Sequence, residues 1–221
     1  MGRSQRILST EVRPQRGAQQ KRTAIVDAAE ALFAESGFDA VSVRNIAEAA
    51  AVKLSVVTYH FPNKEHLFET VICRRSQSLS ELRRKRLAHG RNSDTFDLVA
   101  LVECYTSPLL DLIASEDEGW RHYSHLIAQI SQSRRFADLI SHQYDETAHI
   151  FIDALLDLYP AANREMAIRA LVYLVSVMLG VFSSSGRVET LSKGQYSSDP
   201  AAAFLSMKSF IVGGVEKLLA M

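Results

Sequence analysis

Apolar residues recur along this chain at helical spacing, and no stretch alternates convincingly as a strand would. Ile25, Ala28, Ala29, Leu32 and Phe33 fall at i, i+3, i+4, i+7 and i+8, one face of a helix, and Gly37 supplies a left-handed stop just past it. Ser42 is placed to cap a short helix over 43–50 that turns Val43, Ile46, Ala47 and Ala50 inward and leaves Arg44 facing out. A second short helix, Leu54–His60, ends before Pro62, because proline disfavours α geometry in the residue ahead of it. Two short helices joined by a tight turn result.

From Lys64 the predicted helices lengthen. Leu67, Phe68, Val71, Ile72, Leu79, Leu82 and Leu87 keep one period to about Ala88, where Gly90, Asn92 and Ser93 break it. Asp94 or Thr95 is expected to open a fifth helix that Pro108 kinks or divides, and the turn Ser115–Gly119 closes it. Helices follow over Trp120–Ile130 and Arg134–Tyr159, with Pro160 as terminator. Asn163–Ser184 is apolar around most of its circumference, so protein must cover both sides, and a second subunit is the economical cover. Asp199 and Pro200 then form an N-cap and first helical residue for a last apolar stripe ending at Leu219, after a loop over Ser183–Ser198. The expected fold is all-α.

Residues 1–19 have no apolar period and read as a flexible basic arm carrying Arg13 and Arg16. Over the 221 residues, 25 Lys and Arg balance 25 Asp and Glu, so bulk charge does not draw this chain to nucleic acid or membrane. The two cysteines, Cys73 and Cys104, form neither a disulfide framework nor a thiolate zinc motif, which fits a reducing cytoplasm. The apolar run Ala170–Phe182 is too short to span a bilayer, and no membrane partner is expected. There is no phosphate-binding glycine loop, no dinucleotide fingerprint and no nucleophile elbow, so neither an enzyme nor a cofactor is expected.

Residues 21–67 carry the most specific pattern: three helices, the second and third short, then an aromatic-rich exit, which is the arithmetic of a helix-turn-helix. The text Ser42-Val43-Arg44-Asn45-Ile46-Ala47-Glu48-Ala49-Ala50-Ala51-Val52, Ser55-Val56-Val57-Thr58-Tyr59-His60-Phe61 and Lys64-Glu65-His66-Leu67-Phe68 resembles the TetR-type bacterial transcriptional regulators. The family's glycine of the turn is Ala51 here, its Thr-Leu pair is Val56-Val57, and its first tyrosine is Thr58. The resemblance implies a DNA-binding domain over 20–66 and a larger helical ligand-binding and dimerisation domain over 67–221.

It also implies that Ser42, Arg44, Tyr59, His60 and Lys64 meet phosphates of double-stranded operator DNA. Lys53, Leu54, Ser55 and Thr58 would then meet base edges, and Val56 a thymine methyl. The basic run Arg83, Arg84, Lys85 and Arg86 suits either a nucleic-acid patch or, as the blander reading, cations complementing a helix C-terminus.

In the second half, Cys104, Trp120, Tyr123, Ile127, Tyr144, Phe151, Tyr173 and Met178 are candidates for the wall of a small-molecule pocket. An aromatic acid or an acyl compound would suit that composition. Leu171, Leu174, Met178, Phe204, Met207, Ile211 and Val215 are candidates for a homodimer interface, with Gly180, Gly213 and Gly214 allowing close helix approach. The expected function is a ligand-responsive regulator, most simply a homodimeric repressor on a palindromic operator. Two alternatives stand beside it: a constitutive DNA-binding protein, and a helical carrier or metal-dependent enzyme in which His122, His125 and His142 would have to converge.

Overall fold

The computed structural model describes residues 12–221, with side chains from residue 17 onward. Among them there is no strand. The helices are α1 Val12–Ala40, α2 Val43–Ala49, α3 Leu54–His60, α4 Lys64–Gly90, α5 Leu98–Ile113, α6 Gly119–Ile130, α7 Ala137–Leu158, α8 Arg164–Phe182, α9 Arg187–Leu191 and α10 Pro200–Leu219. Compact packing divides the chain between Val71 and Ile72.

In the first unit α1 is interrupted at Gly37, whose φ of 78° and ψ of 165° lie in a region that side chains with a Cβ avoid. The break lets Phe38 fold back onto the helix that precedes it. Phe33, Phe38 and Phe68 close a three-ring cluster with centroid separations of 5.7, 5.1 and 4.9 Å, two of the three contacts edge-on. Ile25, Ala29, Ile46, Val57 and Leu67 complete a core that is essentially dry.

Helix α1 begins earlier than its apolar period suggests, which corrects the reading of 1–19 as an arm. Residues up to 11 lie outside the described part, but the backbone is helical from Val12. Ala18, Gln19, Gln20 and Lys21 are strong helix formers and are exposed, so they extend the helix by propensity without an inward stripe. Pro14 falls within the first turn, where a missing N–H breaks no bond.

In the second unit α8 packs against α10, α7, α6 and α5, and α10 also packs on α5. Asn163 and Asp199 cap α8 and α10 by accepting from the backbone N–H of Met166 at 2.9 Å and Ala202 at 3.1 Å. Helix α5 is capped by Asp97, three residues beyond Asp94, and runs through Pro108 without a break. The segment Ser183–Ser198, expected to be a loop, contains the short helix α9, pinned where Glu189 accepts from the Ser198 hydroxyl and backbone N–H. By length and composition α8 is apolar enough to cross a bilayer, contrary to the estimate from Ala170–Phe182 alone. Its inner face, with Ala170, Leu171, Leu174 and Met178, is nevertheless buried inside the bundle.

Candidate nucleic-acid interface and ligand cavity

The short helix α3 is held from beneath by Val57, which has no exposed surface, and by Phe61 at its end. Its other side is open. Leu54, Ser55, Thr58 and Tyr59 are exposed, Tyr59 to 83%. The Thr58 hydroxyl points its proton back at the carbonyls of Leu54 and Ser55, 3.4 and 3.3 Å away, so it presents acceptor lone pairs outward.

The turn before α3 is set by two backbone bonds, Ala51 N–H to Glu48 at 3.1 Å and Val52 N–H to Ala47 at 3.0 Å. This is the Schellman arrangement, and it requires a left-handed residue at Ala51, whose φ is 52°. Helix α2 starts in a reciprocal cap. The Ser42 hydroxyl accepts from Asn45 N–H at 3.2 Å, and the Asn45 side-chain oxygen accepts from Ser42 N–H at 2.9 Å. Ser42 thus has a local task and is still exposed.

The predicted contact residues sort into two sets. Ser42, Arg44, Lys53, Leu54, Ser55, Thr58 and Tyr59 share exposure, and neither Arg44 nor Lys53 forms an ion pair among the described residues. Val56 and His60 are half-buried, His60 with its ring edge-on to Tyr59 at 5.1 Å. Lys64 is corrected to a structural role. Its ammonium donates to the carbonyls of Phe38 and Val41 at 2.8 and 2.9 Å and sits over the Phe38 ring, contacts that use two of its three N–H donors inside the first unit.

The second unit holds a cavity of ≈ 270 Å³ between α4, α5, α6, α7 and α8. Of the predicted walls, Tyr123, Ile127, Tyr144 and Met178 line it. The Tyr123 and Tyr144 hydroxyls bond to each other, and burial pushes the Tyr144 phenol well above its ordinary value, so Tyr144 stays neutral at physiological pH.

The other four walls are corrected. Cys104 lies in a separate groove beside Gly90, its thiol donating to the Arg86 carbonyl at 3.4 Å. Trp120 packs between Arg75 and Tyr123. Phe151 is fully buried, edge-on to Tyr105 at 4.9 Å. Tyr173 is 51% exposed in an outer groove between α8 and α10.

The predicted interface residues are corrected too. Leu171, Leu174, Met178, Met207, Ile211 and Val215 are buried within their own subunit, and Phe204 is half-buried. Apolar side chains that remain open on these helices are Ile168, Val172, Tyr173, Leu205 and Phe210. Gly180, Gly213 and Gly214 face open space in the same subunit.

Sequence reasoning missed Arg83, Tyr105, Leu109 and Leu79, which also line the cavity. A signal was present: Arg83 falls at i+4 from Leu79 and i−4 from Leu87, in register with an apolar stripe. The run Arg83 to Arg86 is not a single patch. Arg84 bonds to Thr147, Lys85 pairs with Glu81, and Arg86 pairs with Asp111. Among the described residues no three His, Cys, Asp or Glu side chains converge on a metal position, so the helical metal-enzyme alternative lacks the constellation it needs.

Residues 25–71 match the family described as bacterial regulatory proteins, tetR family, and residues 103–214 match the tetracyclin repressor-like C-terminal domain. The chain belongs to the TetR family. It is a DNA-binding transcriptional regulator and not an enzyme. Over 56 residues it is 38% identical to the HTH-type transcriptional repressor KstR2 of Rhodococcus jostii, a stretch that is 25% of this chain and only 28% of that protein. Its fold is similar to GusR of Salmonella enterica, with a TM-score of 0.57 at 19% identity over 96% of this chain and 98% of that one. A transcriptional regulator of Streptomyces coelicolor is similar with a TM-score of 0.59 at 20% identity, over 90% of this chain and 97% of that one. At such identities the TetR-family likeness to these two is one of fold.

Proposed function

We propose that this TetR-family regulator is a homodimeric cytoplasmic repressor that holds an inverted-repeat operator and releases it when a small effector fills the cavity of its second unit. The observation that carries the reading is α3, whose outer face leaves Ser55, Thr58 and Tyr59 exposed. A recognition helix needs short polar groups that reach base edges in a groove about 12 Å wide, with cations beside it to fix register on phosphates. Arg44 and Lys53 supply the cations.

Helix α4 supports the effector part of the reading. One continuous helix carries Leu67 and Phe68 of the first unit's core and Leu79 and Arg83 of the cavity wall. An effector that binds the DNA-free arrangement more tightly shifts the balance by the ratio of its two affinities. The open apolar face of α8 and α10, with Val172, Tyr173, Leu205 and Phe210, is the surface we assign to the second copy.

Selection from a randomised duplex library at physiological salt tests the proposal. An inverted repeat with half-sites spaced by about one or two helical turns, roughly 10 or 20 base pairs, is the expected product. Recovery of a single asymmetric half-site, or of no preferred sequence, would sink the dimeric repressor.

A further inference from the structure

Arg83 is a buried cation that its own protein does not neutralise. The residue is 2% exposed, yet among the described residues it forms no ion pair. Arg75, Arg84 and Arg86 on the same helix each face a carboxylate, from Asp117, Glu146 and Asp111. What Arg83 has instead is neutral. Its Nε donates to the Tyr105 carbonyl at 2.9 Å, Nη2 reaches the Met178 sulfur at 3.6 Å, and Cζ lies 3.9 Å from the centre of the Tyr105 ring.

A guanidinium has five N–H donors in a planar fork shaped for a carboxylate, and the Tyr105 carbonyl and the Met178 sulfur engage only Nε and Nη2. Taking such a charge out of water is costly unless an anion meets it. The cavity is where one would sit, because Arg83 lines it together with apolar Leu79, Leu109, Leu171 and Met178.

The rest of the lining agrees in sign. The hydrogen-bonded Tyr123–Tyr144 phenol pair adds hydroxyls to the same wall. Asp145 is the acidic residue on the lining; it is exposed, and its carboxylate already accepts from Ser141 at 2.6 Å. Size narrows the class further: ≈ 270 Å³ lies just under the roughly 300–1,000 Å³ of pockets for drug-sized ligands. One ring or a medium-length chain fits that volume.

We propose that the cavity takes a small organic acid, its carboxylate on the Arg83 fork and its apolar body against Leu109, Leu171 and Met178. The inference rests on the reading above that this cavity is the effector site, but binding to the protein alone tests it separately from any effect on DNA.

Calorimetric titration of the full chain uses benzoate, phenylacetate, hexanoate and octanoate, the neutral amide of each, and phenethylamine as a cation. At least one acid is expected to bind saturably and at least ten-fold more tightly than its amide. Arg83→Gln should remove that preference while leaving the thermal transition cooperative. If Arg83→Gln does not fold, Ala148→Phe, which narrows the lining, is expected to weaken the acid at least ten-fold. An amide or the amine binding as well as the acids, no acid binding the folded protein at millimolar concentration, or acid affinity unchanged in the folded variant would overturn the proposal. An acid that binds through Arg83 without releasing DNA upholds the site and removes its effector role. DNA release by a neutral compound that competes for the cavity does the reverse.

Discussion

The Lys64 ammonium lies 4.2 Å from the centre of the Phe38 ring and donates to the Phe38 carbonyl at 2.8 Å. This pair ties the first turn of α4 to the segment released by the Gly37 break, and a second bond, to the Val41 carbonyl, reaches the residue before the α2 cap. Lys64 therefore braces the segment between α1 and α2 against α4. Lys64→Met is expected to lower stability by about 1.5–3 kcal/mol, the range for hydrogen bonds made by a charged group, as measured by denaturant unfolding. The slope of log affinity against log salt on DNA should stay unchanged. Arg44→Ala should do the opposite, keeping stability and reducing the slope by about 0.9 for the one phosphate lost. A reduced slope for Lys64→Met would return it to the phosphates.

Ala51 stands in the left-handed region at φ 52°, where a Cβ meets the following carbonyl at a cost of roughly 1–2 kcal/mol. The larger unfolded-state entropy of glycine offsets part of that relief. Ala51→Gly is expected to raise the thermal midpoint, with a net gain of up to about 1 kcal/mol and no change in which DNA sequence is selected. A lower midpoint would mean that the turn is not strained.

Much of this was legible in the sequence because it is local. Ser42, Gly37, Pro62, Asn163 and Asp199 each act within a few residues of themselves, so the ends they set were readable. Helix α3 was legible for the same reason: Leu54–His60 is bounded by its own turn and breaker. What was not legible depends on partners far along the chain. An apolar helix such as α8 offers two faces, and only the packing of α10 against it tells that Leu174 and Ile211 point inward while Val172, Tyr173 and Phe210 point out. Lys64 and Arg83 are cations whose roles come from a ring and carbonyls 22 to 26 residues away, which no periodicity encodes.

That division of faces can be measured. Tyr173→Glu combined with Phe210→Glu places charges on the open face, where the wild-type residues are 51% and 70% exposed. Light scattering is expected to show a folded monomer with unchanged helicity. Leu174→Ala, inside the subunit, should instead cost about 2–5 kcal/mol of stability as a core cavity. A doubly charged variant that remains dimeric would place the interface elsewhere.

Asp117 gives a pH signature for the second unit. Its hydrogen bonds to Arg75, 2.5 and 3.2 Å long, hold its carboxyl below the ordinary value, against a smaller opposing effect of burial. A depressed carboxyl in the folded state stabilises the protein above the unfolded pKa and loses that contribution as pH falls through the folded one. Because the Asp117 side chain is 54% exposed, the contribution is small, under about 1 kcal/mol. Asp117→Asn should be slightly less stable than wild type at pH 7, and the two unfolding midpoints should converge below about pH 4. A gap that widens on acidification would contradict the assignment.

The most direct measurement is fluorescence anisotropy of the purified protein on labelled duplex from upstream of its own coding region, at physiological salt with excess competitor DNA. Saturable binding with one dimer per duplex, weakened when Thr58→Ala is introduced and lost to an operator with scrambled half-sites, is the expected result. Binding no tighter than to competitor, both there and on any duplex recovered from a randomised library, would contradict the assignment of Leu54–His60 as a sequence-reading helix.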